Sequence, residues 1–466
     1  MAMGRGGRER QQAMWVAMDS IARGPGHPFY AELNRVLARA GFDAHAEGLC
    51  ARFYTAGNGR PSVPPGVYFR MLLIGYFEGI DSERGIAWRC ADSLGLREFL
   101  GYGLDRATPD HSTLSVIRTR LDEPTHQAVF DWVLRVLKER GLVKGKTIGI
   151  DSTTLEANAA MRSIVRRDTK EGYRAFLRRL AQESGVPNPA PEDLVKFDRE
   201  RQKKGSNQEW RSPHDPDAKI TKMKDGRTHL GHKAEHAVDM DTGATLAVTV
   251  QAADRGDTQT IGATLSETME TLQELGPGPD GPLLVQEVVN DKGYHSGQTI
   301  TDLTEMGIRT YTAEPRRKRR RWEGKERERK AVYANRRRVR GARGKALLRR
   351  RGERVERPFA HQYETGAMRR THLRGHANIR KRLLIHCAGD NLALLLRTLI
   401  GIGKPRVMQG LAKAAQRAFA AAVGTLLRLA ALSGALWRLY ATRAAARRAA
   451  STRHRRREAR GLSTGC

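Results

Sequence analysis

Two short runs in this sequence each carry an aspartate behind a strand-like pattern, and a glutamate follows further along. Lys146-Thr-Ile-Gly-Ile-Asp151-Ser-Thr-Thr154 alternates apolar with small or polar residues, the two-residue period of a strand. The pattern is expected to end on Asp151. Leu283-Leu-Val-Gln-Glu-Val-Val-Asn-Asp291-Lys-Gly-Tyr-His295 repeats the design, with Gly293 marking the turn. The third acid, Glu356, sits in Glu353-Arg-Val-Glu356-Arg-Pro-Phe359. Two aspartates at strand ends and one later glutamate can hold a pair of hard divalent ions. Mg2+ takes oxygen ligands and usually fills its shell with water and substrate phosphate. Such a pair activates the attacking oxygen and stabilises the leaving one in phosphoryl transfer. An aspartate after a strand is also an ordinary turn-former, so the chemistry requires the three acids to converge.

The elements that must bring them together read as follows. After the Asp151 strand comes a charged helical insert, about 157–217, with Arg166, Arg167, Lys170, Arg174, Arg178 and Arg179 along it. His229–Asp239 and Ala244–Ala252 form a hairpin around Asp241-Thr-Gly243. Asp257 is expected to cap a helix with Ile261, Leu265, Met269 and Leu272 on one face. The Asp291 strand, a short helix closed by Gly307 and the strand Ile308–Thr312 complete the order. A mixed sheet flanked by helices accommodates it. His232 and His236 lie four apart, but on a strand they stand roughly 13 Å from each other, too far to share an ion.

Lys and Arg number 83 against 51 Asp and Glu, a net charge of +32 over 466 residues. That excess calls for a polyanionic partner, nucleic acid first and an acidic membrane surface second. The four cysteines, Cys50, Cys90, Cys387 and Cys466, form no Cys-x-x-Cys pair, which fits a reducing compartment and disfavours a cysteine zinc site. The N-terminus shows no apolar core behind its basic residues, so no secretory signal is expected. The most apolar window, Leu383–Gly403, is interrupted by His386, Asp390 and Arg397 and reads as a buried helix, not a membrane span.

Residues 1–25 are Gly- and Arg-rich and are expected to be disordered; residues 26–141 read as helices only. A basic run, Arg316-Arg317-Lys318-Arg319-Arg320-Arg321-Trp322, continues through Tyr333 and Arg336-Arg337-Arg338. Basic residues interleaved with aromatics suit phosphate contact and base stacking, and this run lies just ahead of the third acid. Residues 405–466 read as an Ala/Arg helix and a basic tail.

Four runs resemble those of bacterial insertion-sequence transposases of the DDE type. They are Gly149-Ile-Asp-Ser-Thr153, Asp225-Gly-Arg-Thr-His-Leu-Gly-His-Lys-Ala-Glu-His236, Asp291-Lys-Gly-Tyr-His295 and Met368-Arg-Arg-Thr-His-Leu-Arg-Gly375. Residues of about 60–125 look like the helical N-terminal domain of the same proteins. The resemblance implies an α/β catalytic domain over 142–404, a ribonuclease H-like mixed sheet with flanking helices. It also implies an all-helical DNA-binding or dimerisation domain at 26–141 and a helical basic C-terminal extension at 405–466. Asp151, Asp291 and Glu356 are then the catalytic, metal-binding triad, and Mg2+ (or Mn2+) the cofactor. The implied partner is double-stranded DNA, both transposon ends and target, bound by a homodimer or higher assembly. The implied location is the bacterial cytoplasm at the nucleoid, away from membranes. Besides the basic run, Lys292, His295, Arg351, Arg354, Arg369 and Arg370 are candidate DNA contacts.

One departure matters. The family's Tyr-x2-Arg-x3-Glu-x6-Lys pattern, anchored on Glu356, meets Arg349, Gly352 and Tyr363 instead. Arg351 or Arg354 is left to contact phosphate, and Glu353 and Glu364 stay rivals of Glu356 one and two helical turns away. Two alternatives also remain. One is a nuclease of the same fold that cuts without joining, and the other is an inactive DNA-binding derivative.

Overall fold

The computed structural model describes residues 27–55, 62–201, 205–223, 225–316 and 320–407. The chain divides into two compact units, 1–403 and 404–466. Of the second, only residues 404–407 are described, so the basic extension lies outside the described residues, as does the tail at 1–25.

Among the described residues the first unit opens with seven α-helices: α1 (Pro28–Arg39), α2 (Phe42–Cys50), α3 (Pro65–Glu78), α4 (Glu83–Asp92), α5 (Leu94–Leu100), α6 (His111–Arg120) and α7 (Glu123–Glu139). Among the described residues no strand interrupts them. α3 is apolar almost all round and buries every residue from Tyr68 to Phe77, which only a helix surrounded by others can do. Side-chain caps start several of the rest: Ser82 accepts from the Gly85 N–H and Asp122 from the Thr125 N–H.

The sheet follows. β1 (Thr147–Glu156) pairs antiparallel with β5 (Thr228–Asp239) and parallel with β7 (Glu287–Asn290), which pairs parallel with β8 (Arg309–Thr312). β4 (Lys219–Lys222) and β6 (Thr245–Ala252) share the outer edge of β5. The expected hairpin is therefore β5–β6, while β4 lengthens the sheet beyond what the sequence pattern suggested. The insert holds α8 (Tyr173–Glu183) and α9 (Pro191–Glu200), and also a small ladder of β2 (Val165–Arg166) with β3 (Trp210–Arg211). Trp210 is the centre of its own apolar cluster with Phe176, Leu177 and Leu194.

On one side of the sheet lies α10 (Asp257–Leu275). Ile261, Leu265 and Leu272 are buried as expected, but Met269 is exposed. Asp257 does not cap this helix, because Gly256 holds the cap position. α11 (Gly297–Glu305) connects β7 to β8, and α12 (Glu326–Arg340) then packs on α11. The other side receives a long helical stretch and then α15 (His376–Ile400). The stretch comprises α13 (Ala342–Arg351), a wide π-type turn over Gly352–Glu356, α14 (Arg357–Ala360) and a second wide turn over His361–Thr365.

α15 is the apolar window of the sequence. It is long and apolar enough to cross a membrane, yet it is mostly buried inside the protein, against α3, α7 and β6. Its basic residues clip the opening helices to the sheet. Lys381 Nζ donates to the Arg118 and Leu121 carbonyls, and Arg380 pairs with Glu123 and Glu267 and donates to the Val248 carbonyl.

Candidate active site

Asp151 sits within β1, not at its end. Thr153 and Leu155 carry the alternation on to Glu156, paired to β5 throughout. What ends near Asp151 is the parallel partner. The β1–β7 register sets Thr147 beside Glu287 and Gly149 beside Val289, where the ladder ends, and Asp291 lies close enough for its charge to raise the Asp151 carboxyl pKa. β7 stops at Asn290, and Asp291 caps a single turn by accepting from the Gly293 N–H at 2.7 Å.

Glu356 arrives from the long helical stretch. Gly149 makes its approach possible, since a Cβ there would stand 2.6 Å from Val355 Cγ2 and 2.6 Å from Met240 Sδ. The wide turn over Gly352–Glu356 precedes Pro358. In a regular helix that ring would strike the carbonyl four residues back, and widening the turn relieves the clash. Below it, Phe359 and Tyr363 pack on His236, whose Nε2 lies 2.5 Å from the Tyr363 hydroxyl. His236 is buried and held neutral by that burial, which depresses its pKa to about 3. His232, on the same strand, pairs with buried Asp215.

Arg351 joins the acids. Its Nη2 lies 2.8 Å from Asp151 Oδ2 and its Nη1 2.5 Å from Glu356 Oε1. The Arg351 side chain is 8% exposed, and its Nε is buried with no hydrogen-bond partner. Burial pushes the Asp151 carboxyl up to about 6; Arg351 and the Ser152 N–H oppose that rise, and the charges of Asp291 and Glu356 add to it. Asp151, Asp291 and Glu356 therefore share one electrostatic environment. Among the described residues no three His, Cys, Asp or Glu side chains stand close enough to hold an ion. The donor set nevertheless suits a hard cation, because Asp151 and Glu356 already meet on one positive group.

The rival glutamates lie elsewhere. Glu353 lines a cavity with Thr242, Gly243, Arg354 and Arg397, on the hairpin side. Glu364 is exposed and paired to Arg369, whose Nη1 donates to Thr153 Oγ1 at 2.9 Å.

The candidate DNA contacts scatter. Lys292 is exposed beside Asp291, and buried His295 faces Arg320 at 3.3 Å. Trp322 packs partly on Ile300, Ala331 and Val332. Arg336 forks onto Glu314, Arg338 donates to the Thr310 carbonyl, and Arg354 donates to the Thr242 carbonyl. Arg316, Arg321 and Arg337 are exposed, and Arg370 lies 3.8 Å from Glu156. Arg317, Lys318 and Arg319 lie outside the described residues.

Sequence reasoning missed the groups behind Asp151. Ser152, Lys233, Glu235, Asp257 and Tyr294 are hydrogen-bonded together on the α10 side. The one signal for them was the two-residue period, which puts Lys233 and Glu235 on one face of a strand buried on both sides.

Two family models match the chain. The transposase domain DUF772 covers residues 18–120, and the transposase DDE domain covers residues 205–392. The second match includes Asp291 and Glu356, whereas Asp151 precedes it. No curated protein matches the chain. Together the two models span well over half of it, and the chain belongs to the DDE transposases of insertion-sequence type.

Proposed function

We propose that this transposase cuts DNA at the ends of its element and joins the freed ends to a target, using Asp151, Asp291 and Glu356 as the ligands of divalent ions. The observation that carries the reading is the meeting of Asp151 and Glu356 on one guanidinium beside the Asp291 turn. The sheet order, with β5–β6 antiparallel on one side of β1 and β7–β8 parallel on the other, supports a ribonuclease H-like catalytic core.

Asp151, Asp291 and Glu356 would be the residues that hold the divalent ions, Mg2+ (or Mn2+). Bound there, such a pair lowers the pKa of an attacking oxygen and stabilises a leaving 3′-oxygen. In the first step water attacks the phosphodiester and a 3′-hydroxyl leaves. In the second, that hydroxyl attacks a target phosphodiester and displaces a target 3′-oxygen. Neither step requires a covalent intermediate on the protein. Arg351 would release both carboxylates as the site fills and turn its charge to a DNA phosphate, the task for which the family's pattern uses a different position. The partner is double-stranded DNA, bound by a homodimer or larger assembly, and the place of action the bacterial cytoplasm.

The test incubates the purified full chain with DNA carrying the sequences that flank its gene. With Mg2+, cut strands ending in 3′-hydroxyl and joined products are expected, and EDTA should abolish both. Cut strands without joined ones would favour a nuclease. No product with either Mg2+ or Mn2+ would overturn the proposal.

A further inference from the structure

The Lys233-Ala-Glu235 segment has no part in the chemistry above, yet both charged side chains are buried on the central strand β5. Lys233 Nζ has three donors and uses them on Asp257 Oδ1 at 2.7 Å, Thr260 Oγ1 at 2.9 Å and the Arg255 carbonyl at 3.3 Å. Thr260 passes the chain on to Glu235 Oε1 at 2.8 Å, and Thr264 donates to Oε2. The buried Glu235 carboxyl has its pKa raised by desolvation, which those hydroxyls and Lys233 counteract.

The network ends on two groups beside the acids. Ser152, the residue after Asp151, donates to Asp257 Oδ1 at 2.8 Å. Tyr294, three residues after Asp291, is buried and donates to Glu235 Oε1 at 2.7 Å. Asp257 also abuts the Asp291 turn directly. A Cβ at Gly293 would stand 2.3 Å from Asp257 Oδ2 and 3.0 Å from Asp291 Oδ1, so the carboxylate fills the space a side chain would take. Asp151 and Asp291 come from different strands, and their backbone ladder stops at Gly149 and Val289. Beyond that point no strand hydrogen bond fixes one acid against the other.

We propose that Lys233, Glu235, Asp257 and Tyr294 are positioning residues. They form a polar clamp that grips Ser152 on one side and the Asp291 turn on the other, and so set the spacing of the two aspartates for their cation. The inference rests on the assignment of Asp151 and Asp291 as metal ligands. A fully satisfied buried network is rigid, whereas removing one partner leaves another unpaired. Groups that orient metal ligands from behind typically change metal affinity or activity by roughly 10- to 100-fold when altered.

The test follows Mn2+-dependent thermal stabilisation of the full chain, a readout independent of cleavage. Tyr294→Phe removes one hydroxyl and keeps the ring, and Glu235→Gln keeps the shape. Each is expected to raise the half-saturating Mn2+ concentration by about tenfold or more. The double variant is expected to do no worse than the poorer single, because both break one network. Tyr76→Phe is the control: it deletes an equally buried hydroxyl bonded to Asp390, which is not one of the residues of this network, and should lower the melting temperature without moving half-saturation. Wild-type half-saturation in Tyr294→Phe, or an equal rise in Tyr76→Phe, would overturn the clamp while leaving the metal site intact. If wild type itself shows no Mn2+ response, the metal assignment fails and the clamp with it.

Discussion

Asp151 and Ser152 are neighbours on β1, yet they face two sides of the sheet that differ in kind. On the Ser152 side the charged groups are densely hydrogen-bonded. Lys233 spends all three donors, and Glu235 accepts three hydroxyls. On the Asp151 side the balance is incomplete. Burial holds the Asp151 carboxyl near 6, and Arg351 serves two carboxylates while its own Nε goes unbonded. Native proteins rarely leave buried polar atoms unsatisfied, and perturbed acids gather at functional sites. On the function proposed above, the contrast separates a face that supports the two aspartates from one that a bound metal would complete.

The sharpest way to break this contrast is to ask which glutamate belongs to the open side. Glu356→Gln should reduce Mg2+-dependent strand cleavage to background. Glu353→Gln and Glu364→Gln should cut within a few-fold of wild type, because one lines the cavity by the hairpin and the other is held by Arg369. Normal cutting by Glu356→Gln beside a dead Glu353→Gln or Glu364→Gln would move the site to the other glutamate.

A smaller effect is expected at the protein surface. Arg316 and Arg321 are exposed, whereas the guanidinium groups of Arg336 and Arg338 are engaged by Glu314 and Thr310. Arg316→Gln with Arg321→Gln should weaken binding to all DNA sequences alike. It should also flatten the dependence on salt by nearly one unit of slope for each phosphate that is no longer neutralised. Arg338→Gln should leave that slope in place. The reverse pattern would make the exposed arginines bystanders and the engaged ones the DNA-binding groups.

Parts of this arrangement were legible in the sequence for stated physical reasons. The two-residue period revealed β1, the β5–β6 hairpin and the strand that ends before Asp291, because one face of each strand must be apolar. The same period ran on through Thr153 and Leu155, so the end of β1 was misplaced at Asp151. Pro358 disturbed the reading of the Glu356 helix, since the wide turn that accommodates it has no signature in residue type. The clamp escaped because Lys233 and Glu235 look like a solvated strand face. Only the covering by α10 makes them interior. Asp257 looked like a helix cap, whereas its carboxylate is taken by Ser152 and Lys233.

The most direct measurement compares wild type with Asp151→Asn in two ways, by thermal unfolding without metal and by cleavage with Mg2+. The unfolded chain releases this proton near the ordinary aspartate value of 3.8, the folded chain only near 6. A raised carboxyl pKa leaves stability intact below about pH 4 and erodes it as the pH climbs through 6. The asparagine carries no such penalty. At pH 7 Asp151→Asn should therefore be more stable than wild type by on the order of 3 kcal/mol, an advantage that fades toward pH 4. The same variant should cut no DNA. A variant that is destabilised at pH 7, or one that still cuts at the wild-type rate, would contradict the assignment of Asp151 to an incomplete, metal-holding site.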